Sequence, residues 1–397
     1  MSSDQLQNKR SRVLTVIVAT LIGIVILLPG IYLGGHSHLL PNAVRNALIG
    51  SPTQQTASQV VELIGSNYFQ PTAEQRLTNA AARGAIASLG DRFSAYFTPS
   101  EFRAFLQSTE GEFSGIGVSV SKTRQGLRII EVFQGSPAAA AKLRRGDLIT
   151  TVNGRSVAAQ PATVATELIK GKPGTTVTIT VLRDGQRFTK RIRRATVGIP
   201  AVTVRSVKAN GKQIAVVKLS AFTAPAAAQF RAAVESAVRR KVNGLILDLR
   251  NNPGGLLSEA VEVVSVFIAD GKVVTTKGRD QPTQQFDATG EVVTTKLPVV
   301  VLVNHQTASS AEIVAGALQD RHRATLVGQR TFGKGVFQRL LELNNHGALE
   351  LTTGQFFLPS GRNIGNGKHR GAGIKPNLVV SPSQTEQVAV KLLVRDT

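Results

Sequence analysis

The sequence predicts an α/β protein, and three stretches of it carry that prediction. From about residue 196 onward, short apolar runs alternate with segments whose apolar residues recur at helical spacing. The stretch 112–195 instead alternates apolar and polar residues and contains Asp184-Gly185, a strong hairpin-turn signal. Residues 13–33 are apolar almost throughout.

Taken in order, residues 1–12 form a polar tail with Lys9, Arg10 and Arg12, and no further charged residue occurs until Arg45. At about 1.5 Å per residue, 13–33 is long enough to cross a ~30 Å hydrocarbon layer. The positive-inside rule then places the N-terminus in the cytoplasm and the body outside it. We expect a single-pass anchor in the cell membrane. A cleaved signal peptide competes with it, because Gly35-His36-Ser37 places small residues suitably. Residues 34–56 are a linker. The region 57–111 carries three apolar clusters at helical spacing, with breaks at Pro71, Gly90-Asp91 and Pro99, and predicts three short helices.

Within 112–195, strands are expected from Gly115–Val118 onward, over Leu127–Phe133, Thr175–Leu182 and Gln186–Ile192, with helices near Pro137–Lys142 and Ala162–Lys170. Within 196–380, strands are expected at Ile214–Phe222, Gly244–Leu249, Val299–Asn304 and Thr325–Val327. Helices are expected at 225–240 and Leu256–Ile268 and after Ser309. Such alternation argues for stacked βαβ units. Residues 381–397 read as a short tail.

Composition narrows the function. An apolar share of 42% over 397 residues supports two or three domains with well-formed cores. Cysteine is absent, so disulfides, thiol catalysis and cysteine metal sites are excluded. The formal charge of +22 reads either as a solvated surface or as affinity for an anionic membrane or cell wall. Nucleic acid is not an expected partner, since only 5% of residues are aromatic and no recognition pattern occurs.

The chemistry concentrates in 307–338. Ser309 sits among small residues ahead of a helical segment, as a strand-to-helix nucleophile does. Lys334 lies between Gly333 and Gly335, where other groups can approach its amine. Gln338, four residues on, falls on the lysine's face in a helix or a strand. A lysine activates a serine only when neutral. Its reference pKa of about 10.4 must then fall by roughly three units, which calls for burial and for no carboxylate beside the amine. A neutral carboxamide such as Gln338 can orient the amine without raising its pKa.

Asp248-Leu-Arg-Asn-Asn-Pro-Gly-Gly255, Ala308-Ser309-Ser310-Ala311-Glu312 and Gly333-Lys334-Gly335 with Gln338 resemble the signature blocks of the carboxyl-terminal processing, or tail-specific, proteases. The resemblance runs from about 57 to 380. It implies Ser309 as nucleophile, Lys334 as general base and Gln338 as orienting residue. It also implies an oxyanion hole of backbone N–H groups, one at Gly254-Gly255 and one at Ser310. The implied core is the crotonase-like spiral of ββα units also seen in Clp proteases, and the implied role of 57–111 is to help subunits pair as a homodimer.

Residues 112–195 resemble a PDZ domain, through Gly135-Ser136-Pro137-Ala138 and Arg145-Gly146-Asp147-Leu148-Ile149 with Val152-Asn153-Gly154. Such a module adds a peptide as an extra strand and captures its terminal carboxylate on a glycine loop. Here that loop is Gly115, Ile116, Gly117 and Val118. Where the family commonly has an arginine, this chain has Lys170, which cannot make a bidentate contact.

The expected function is therefore a serine endopeptidase acting near free carboxyl termini of protein or peptide substrates, with no metal and no cofactor. A dormant PDZ adaptor that presents peptides to another protease is the alternative, and a crotonase-type acyl-CoA enzyme explains neither the PDZ module nor the anchor. Weaker signals fall short. Gly328–Gly335 is one residue short of a phosphate loop, and Gly335 replaces the magnesium-binding hydroxyl. His305 precedes Ser309 by four residues, but a GxSxG elbow is absent. Asp248 and Arg250 read as holding their turn together.

Overall fold

The computed structural model describes residues 52–365 and 372–395; the span expected at 13–33 lies outside them. No helix among the described residues is long and apolar enough to cross a membrane. The chain divides into two compact units, 1–90 and 91–397.

The first unit holds α1 (Pro52–Asn67) and α2 (Glu74–Ala87). No residue of α2 is buried, and Val60, Leu63, Ile64, Tyr68 and Phe69 are all exposed. Among the described residues of this unit, these two helices leave their larger apolar side chains at the surface.

The second unit opens with β1 (Ala95–Phe97) and α3 (Pro99–Thr109). The third helix expected from the sequence thus belongs here, where Phe105 stacks on Phe97 with ring centroids 5.0 Å apart. Its start follows from Thr98-Pro-Ser-Glu101: proline at the first helical position, and a reciprocal bond between the Thr98 N–H and the Glu101 carboxylate (2.8 Å).

A two-stranded ribbon, β2 (Glu112–Gly115) with β9 (Ala195–Gly198), leads into and out of a small β domain. That domain holds β3 (Val118–Thr123), β4 (Gly126–Val132), α4 (Pro137–Ala140), β5 (Leu148–Val152), β6 (Arg155–Ser156), α5 (Ala162–Ile169), β7 (Thr176–Arg183) and β8 (Gln186–Arg193). Its sheet runs β3-β4-β5-β7-β8, so β3 lies at an edge. Asp184 (φ 49°) and Gly185 (φ 80°) make the hairpin turn between β7 and β8 that their sequence demands.

The α/β part holds β10 (Val202–Ala209), β11 (Lys212–Leu219), α6 (Ala226–Arg239), β12 (Gly244–Asp248), α7 (Leu257–Ser265), β13 (Lys272–Gly278), β14 (Gln284–Asp287), β15 (Val299–Val303), α8 (Ser310–Asp320), β16 (Thr325–Gly328), β17 (Val336–Glu342), β18 (Ala348–Phe357), β19 (Leu378–Val379) and α9 (Thr385–Arg395). One sheet runs β10-β11-β12-β15-β16-β19, parallel from β11 onward. A second, antiparallel sheet runs β1-β18-β13-β14, with β17 also on β18.

Strand alternation splits the core in two. Leu245, Leu247, Val301 and Val303 face α6, α7 and α8, while Ile246, Val300 and Leu302 face Ala389 and Leu393 of α9. Both faces of β12 and β15 are covered, which explains their unbroken apolar sequences. The segment expected to be a plain tail is thus the helix that closes one face of the sheet.

Candidate active site

Ser309 follows β15 and is the residue from which α8 starts. Its backbone sits at φ 54°, ψ −122°, a region that costs an L-residue about 1–3 kcal/mol and is held only where the surroundings enforce it. Several contacts enforce it here. The Ala308 N–H donates to Asn252 O (3.0 Å) and the Ser310 hydroxyl donates to Gly255 O (2.7 Å), joining the serine turn to the turn after β12. Thr307, fully buried, donates its hydroxyl to Leu249 O (2.9 Å).

The Asn251–Gly255 turn is shaped by Asn252, whose buried side chain donates to Leu219 O (2.8 Å) and accepts from the Gly254 N–H (2.9 Å). Of the two glycines expected to supply an oxyanion donor, Gly254 has therefore already given its N–H away. Gly255 and Ser310 have N–H groups with no acceptor among the described residues. Gly254 contributes instead by lacking a side chain: a Cβ there would lie 2.8 Å from Ser309 Cβ, at φ +102°. Asp248 and Arg250 form a bidentate ion pair (2.8 and 2.6 Å), in keeping with a role in holding the turn.

Glu312, fully buried on the first turn of α8, joins the serine to the lysine. One carboxylate oxygen accepts the N–H of Ser309 and of Lys334, each at 2.9 Å; the other accepts the Gly333 N–H (2.8 Å) and the Thr331 hydroxyl. Burial pushes its carboxyl above the ordinary range, against the four hydrogen bonds that favour the charged form.

The Lys334 amine makes no hydrogen bond or ion pair with a described residue, Ser309 included; it lies 4.9 Å from the centroid of the Phe93 ring. Burial depresses its pKa, as a general base requires. The expectation of a site free of carboxylates is corrected: Glu350, Asp91 and Glu312 all push the lysine upward, and burial outweighs them. Gln338 lies on β17 beside a register shift at Phe337/Gln338, and its amide donates to Thr352 on β18 (3.0 Å) rather than to Lys334. His305 is exposed, and its ring nitrogen lies 3.4 Å from the Gln329 side-chain oxygen.

The expected peptide site is a groove of about 440 Å³ beside β3, lined by Gly115–Val118, Phe113, Phe133, Thr166, Ile169 and Lys170 among others. Ile116 is fully buried, so it offers its backbone and not its side chain. Gly117 (φ +86°) is required, since a Cβ would lie 2.2 Å from Ser136 Cβ. Lys170 pairs with Glu167 at 2.8 Å on the exposed side of α5.

Sequence reasoning assigned no role to Glu312, Asn252 or Phe93. The first carried a signal, since Ser309-x-x-Glu312 has capping-box spacing; the other two lay in a turn and a break with nothing to single them out.

Comparison with known proteins identifies the family. A family model described as peptidase family S41 matches residues 213–380, and a PDZ domain model matches 114–193. The chain is 34% identical over 335 residues to the carboxy-terminal-processing protease of Bartonella bacilliformis, which spans 83% of this chain and 75% of that one. It is 30% identical over 396 residues to a probable CtpA-like serine protease of Staphylococcus haemolyticus, covering 98% and 77% respectively. Among solved structures, the photosystem II D1 C-terminal processing protease matches with a TM-score of 0.51 at 26% identity, over 87% of this chain and 98% of that one. The chain belongs to peptidase family S41, as a carboxy-terminal-processing protease with a PDZ domain and serine-type endopeptidase activity.

Proposed function

We propose that this protease cleaves by a Ser309/Lys334 dyad. Neutral Lys334 takes the Ser309 proton as the hydroxyl attacks the scissile carbonyl, and returns it to the leaving amine. The Gly255 and Ser310 N–H groups receive the developing oxyanion, at about 3 kcal/mol per donor. Gln338 supports the site through β18. The observation that carries this reading is the Glu312 carboxylate, which ties the Ser309 and Lys334 backbones to one group.

In the same reading, the edge of β3 captures a free carboxyl terminus with Gly115–Val118 as the carboxylate loop. The 13–33 span holds the body outside the cytoplasm at the cell membrane. The uncovered apolar residues of α1 and its following turn favour pairing of two subunits through the first unit, which would enclose them.

The test uses the purified full chain and an unstructured substrate offered with a free or an amidated carboxyl terminus. Cleavage should require Ser309, Lys334 and the free terminus. An active Lys334→Ala protein would remove the dyad. The adaptor reading draws on one observation, the missing bond between Lys334 and Ser309, and binding without any Ser309-dependent cleavage would favour it.

A further inference from the structure

The segment Asp91–Ser94 is fastened beside Lys334. Asp91 accepts the Phe93 N–H (3.1 Å) and the Ser94 hydroxyl (2.6 Å), and Ser94 Oγ in turn accepts the Thr352 N–H of β18 (3.0 Å). These bonds fix the backbone of Phe93. Its ring receives two cations: Lys334 Nζ at 4.9 Å and the Arg92 guanidinium at 4.8 Å from the centroid. Arg92 also lies 4.7 Å from the Phe332 ring, and the Phe332 N–H donates to Thr307 O in the serine turn. Phe93 is thus placed between the lysine and a chain of contacts that runs to the nucleophile.

We propose that Phe93 is a positioning residue for Lys334: its ring holds the lysine in its ammonium form and off Ser309, so the dyad forms only when this contact opens. The inference rests on the Ser/Lys reading above.

The physical argument is one of charge. The face of an aromatic ring is negative and attracts an ammonium but not a neutral amine. The contact therefore favours the form of Lys334 that cannot act as a base. The charged groups acting on the amine come from each element around it: Glu350 on β18, Asp91 and Arg92 on the segment itself, and Glu312 on α8. The three carboxylates act in the same direction as the ring, while Arg92 and burial oppose them. Phe93 is the member of this set that acts only by stacking, so it can be altered without changing net charge.

Two variants of the full chain separate ring from bulk. Phe93→Leu keeps an apolar side chain but removes the negative face; Phe93→Tyr keeps both. The readout is the pH dependence of the rate at which a small fluorophosphonate labels Ser309, with melting curves confirming the fold.

In Phe93→Leu the acidic limb of the profile should move to lower pH by about half a unit, and labelling at neutral pH should rise. Phe93→Tyr should retain the wild-type profile. An unmoved limb in Phe93→Leu, or an equal shift in Phe93→Tyr, would overturn the proposal. Failure of the underlying reading looks different: Lys334→Ala would still label Ser309. An inert Lys334→Ala beside an unshifted Phe93→Leu would remove only the role of Phe93.

Discussion

Replacing Glu312 tests whether one carboxylate organises both members of the proposed dyad. Glutamine keeps a single acceptor oxygen. Turned toward Ser309 and Lys334, that oxygen preserves their two N–H bonds and puts the amide nitrogen against Thr331 and Gly333. Thr331 Oγ1 already accepts the Ile374 N–H (2.7 Å) and can accept the new amide by turning its own hydrogen away. The Gly333 N–H is then orphaned and the buried Thr331 hydroxyl hydrogen loses its acceptor, each at a cost of about 1–3 kcal/mol before local relaxation. Loss of the charge offsets part of this, because burial already disfavours the ionised carboxyl. Alanine orphans three backbone donors and leaves a cavity, roughly 4 kcal/mol or more. Urea melts and Ser309 labelling rates should both order as wild type, then Glu312→Gln, then Glu312→Ala. A Glu312→Ala protein as stable and as reactive as wild type, or a glutamine variant worse than alanine, would refute the argument.

Other outcomes follow from the same geometry. In Gly254→Ala, the added methyl sits 2.8 Å from Ser309 Cβ instead of an ordinary ~3.5 Å, so the serine turn must shift by about 0.7 Å; kcat/KM should fall by tens of fold with peptide capture unchanged. Gly117→Ala meets Ser136 Cβ at 2.2 Å, and calorimetry of the full chain should show weakened peptide binding while fluorophosphonate labelling of Ser309 proceeds normally. For Lys334, burial depresses the folded pKa below the unfolded one, so the cost of burying its charge is complete below the folded pKa and vanishes as pH rises toward ~10.4. Lys334→Met should therefore melt above wild type near neutral pH, with the gap closing toward pH 10. A gap that widens with pH would reverse the sign.

The legible parts of this protein are those whose residues act locally. β12 and β15 announced themselves because both their faces are covered, and the β7–β8 hairpin because Asp184-Gly185 fits one turn type. Ser309 was visible through its small neighbours and Lys334 through its flanking glycines. The antiparallel sheet was not. β18 reads ALELTTGQFF and β17 reads VFQRLLE, with neither a clean alternation nor a continuous apolar run, because their residues are mostly half-buried. β1 has three residues and no pattern to detect. Glu312 was hidden by chemistry: an acidic residue on a helix's first turn ordinarily faces water, and only tertiary packing shows that this one is fully buried. The carboxylates around Lys334 come from β18, α8 and the Asp91–Ser94 segment, all beyond the reach of local periodicity, so spacing alone could not reveal them.

The β2–β9 ribbon has a consequence beyond its role as a connector. Because the chain enters and leaves the PDZ domain on paired neighbouring strands, with Gly115 opposite Ala195 and Glu112 opposite Gly198, the domain is inserted at a single point of the core. An insertion whose two ends meet can be exchanged as a cassette without rethreading the host. A lineage of such proteases could acquire new tastes in carboxyl termini by swapping everything beyond this ribbon, while the machinery built on Ser309 and Glu312 stayed as it is.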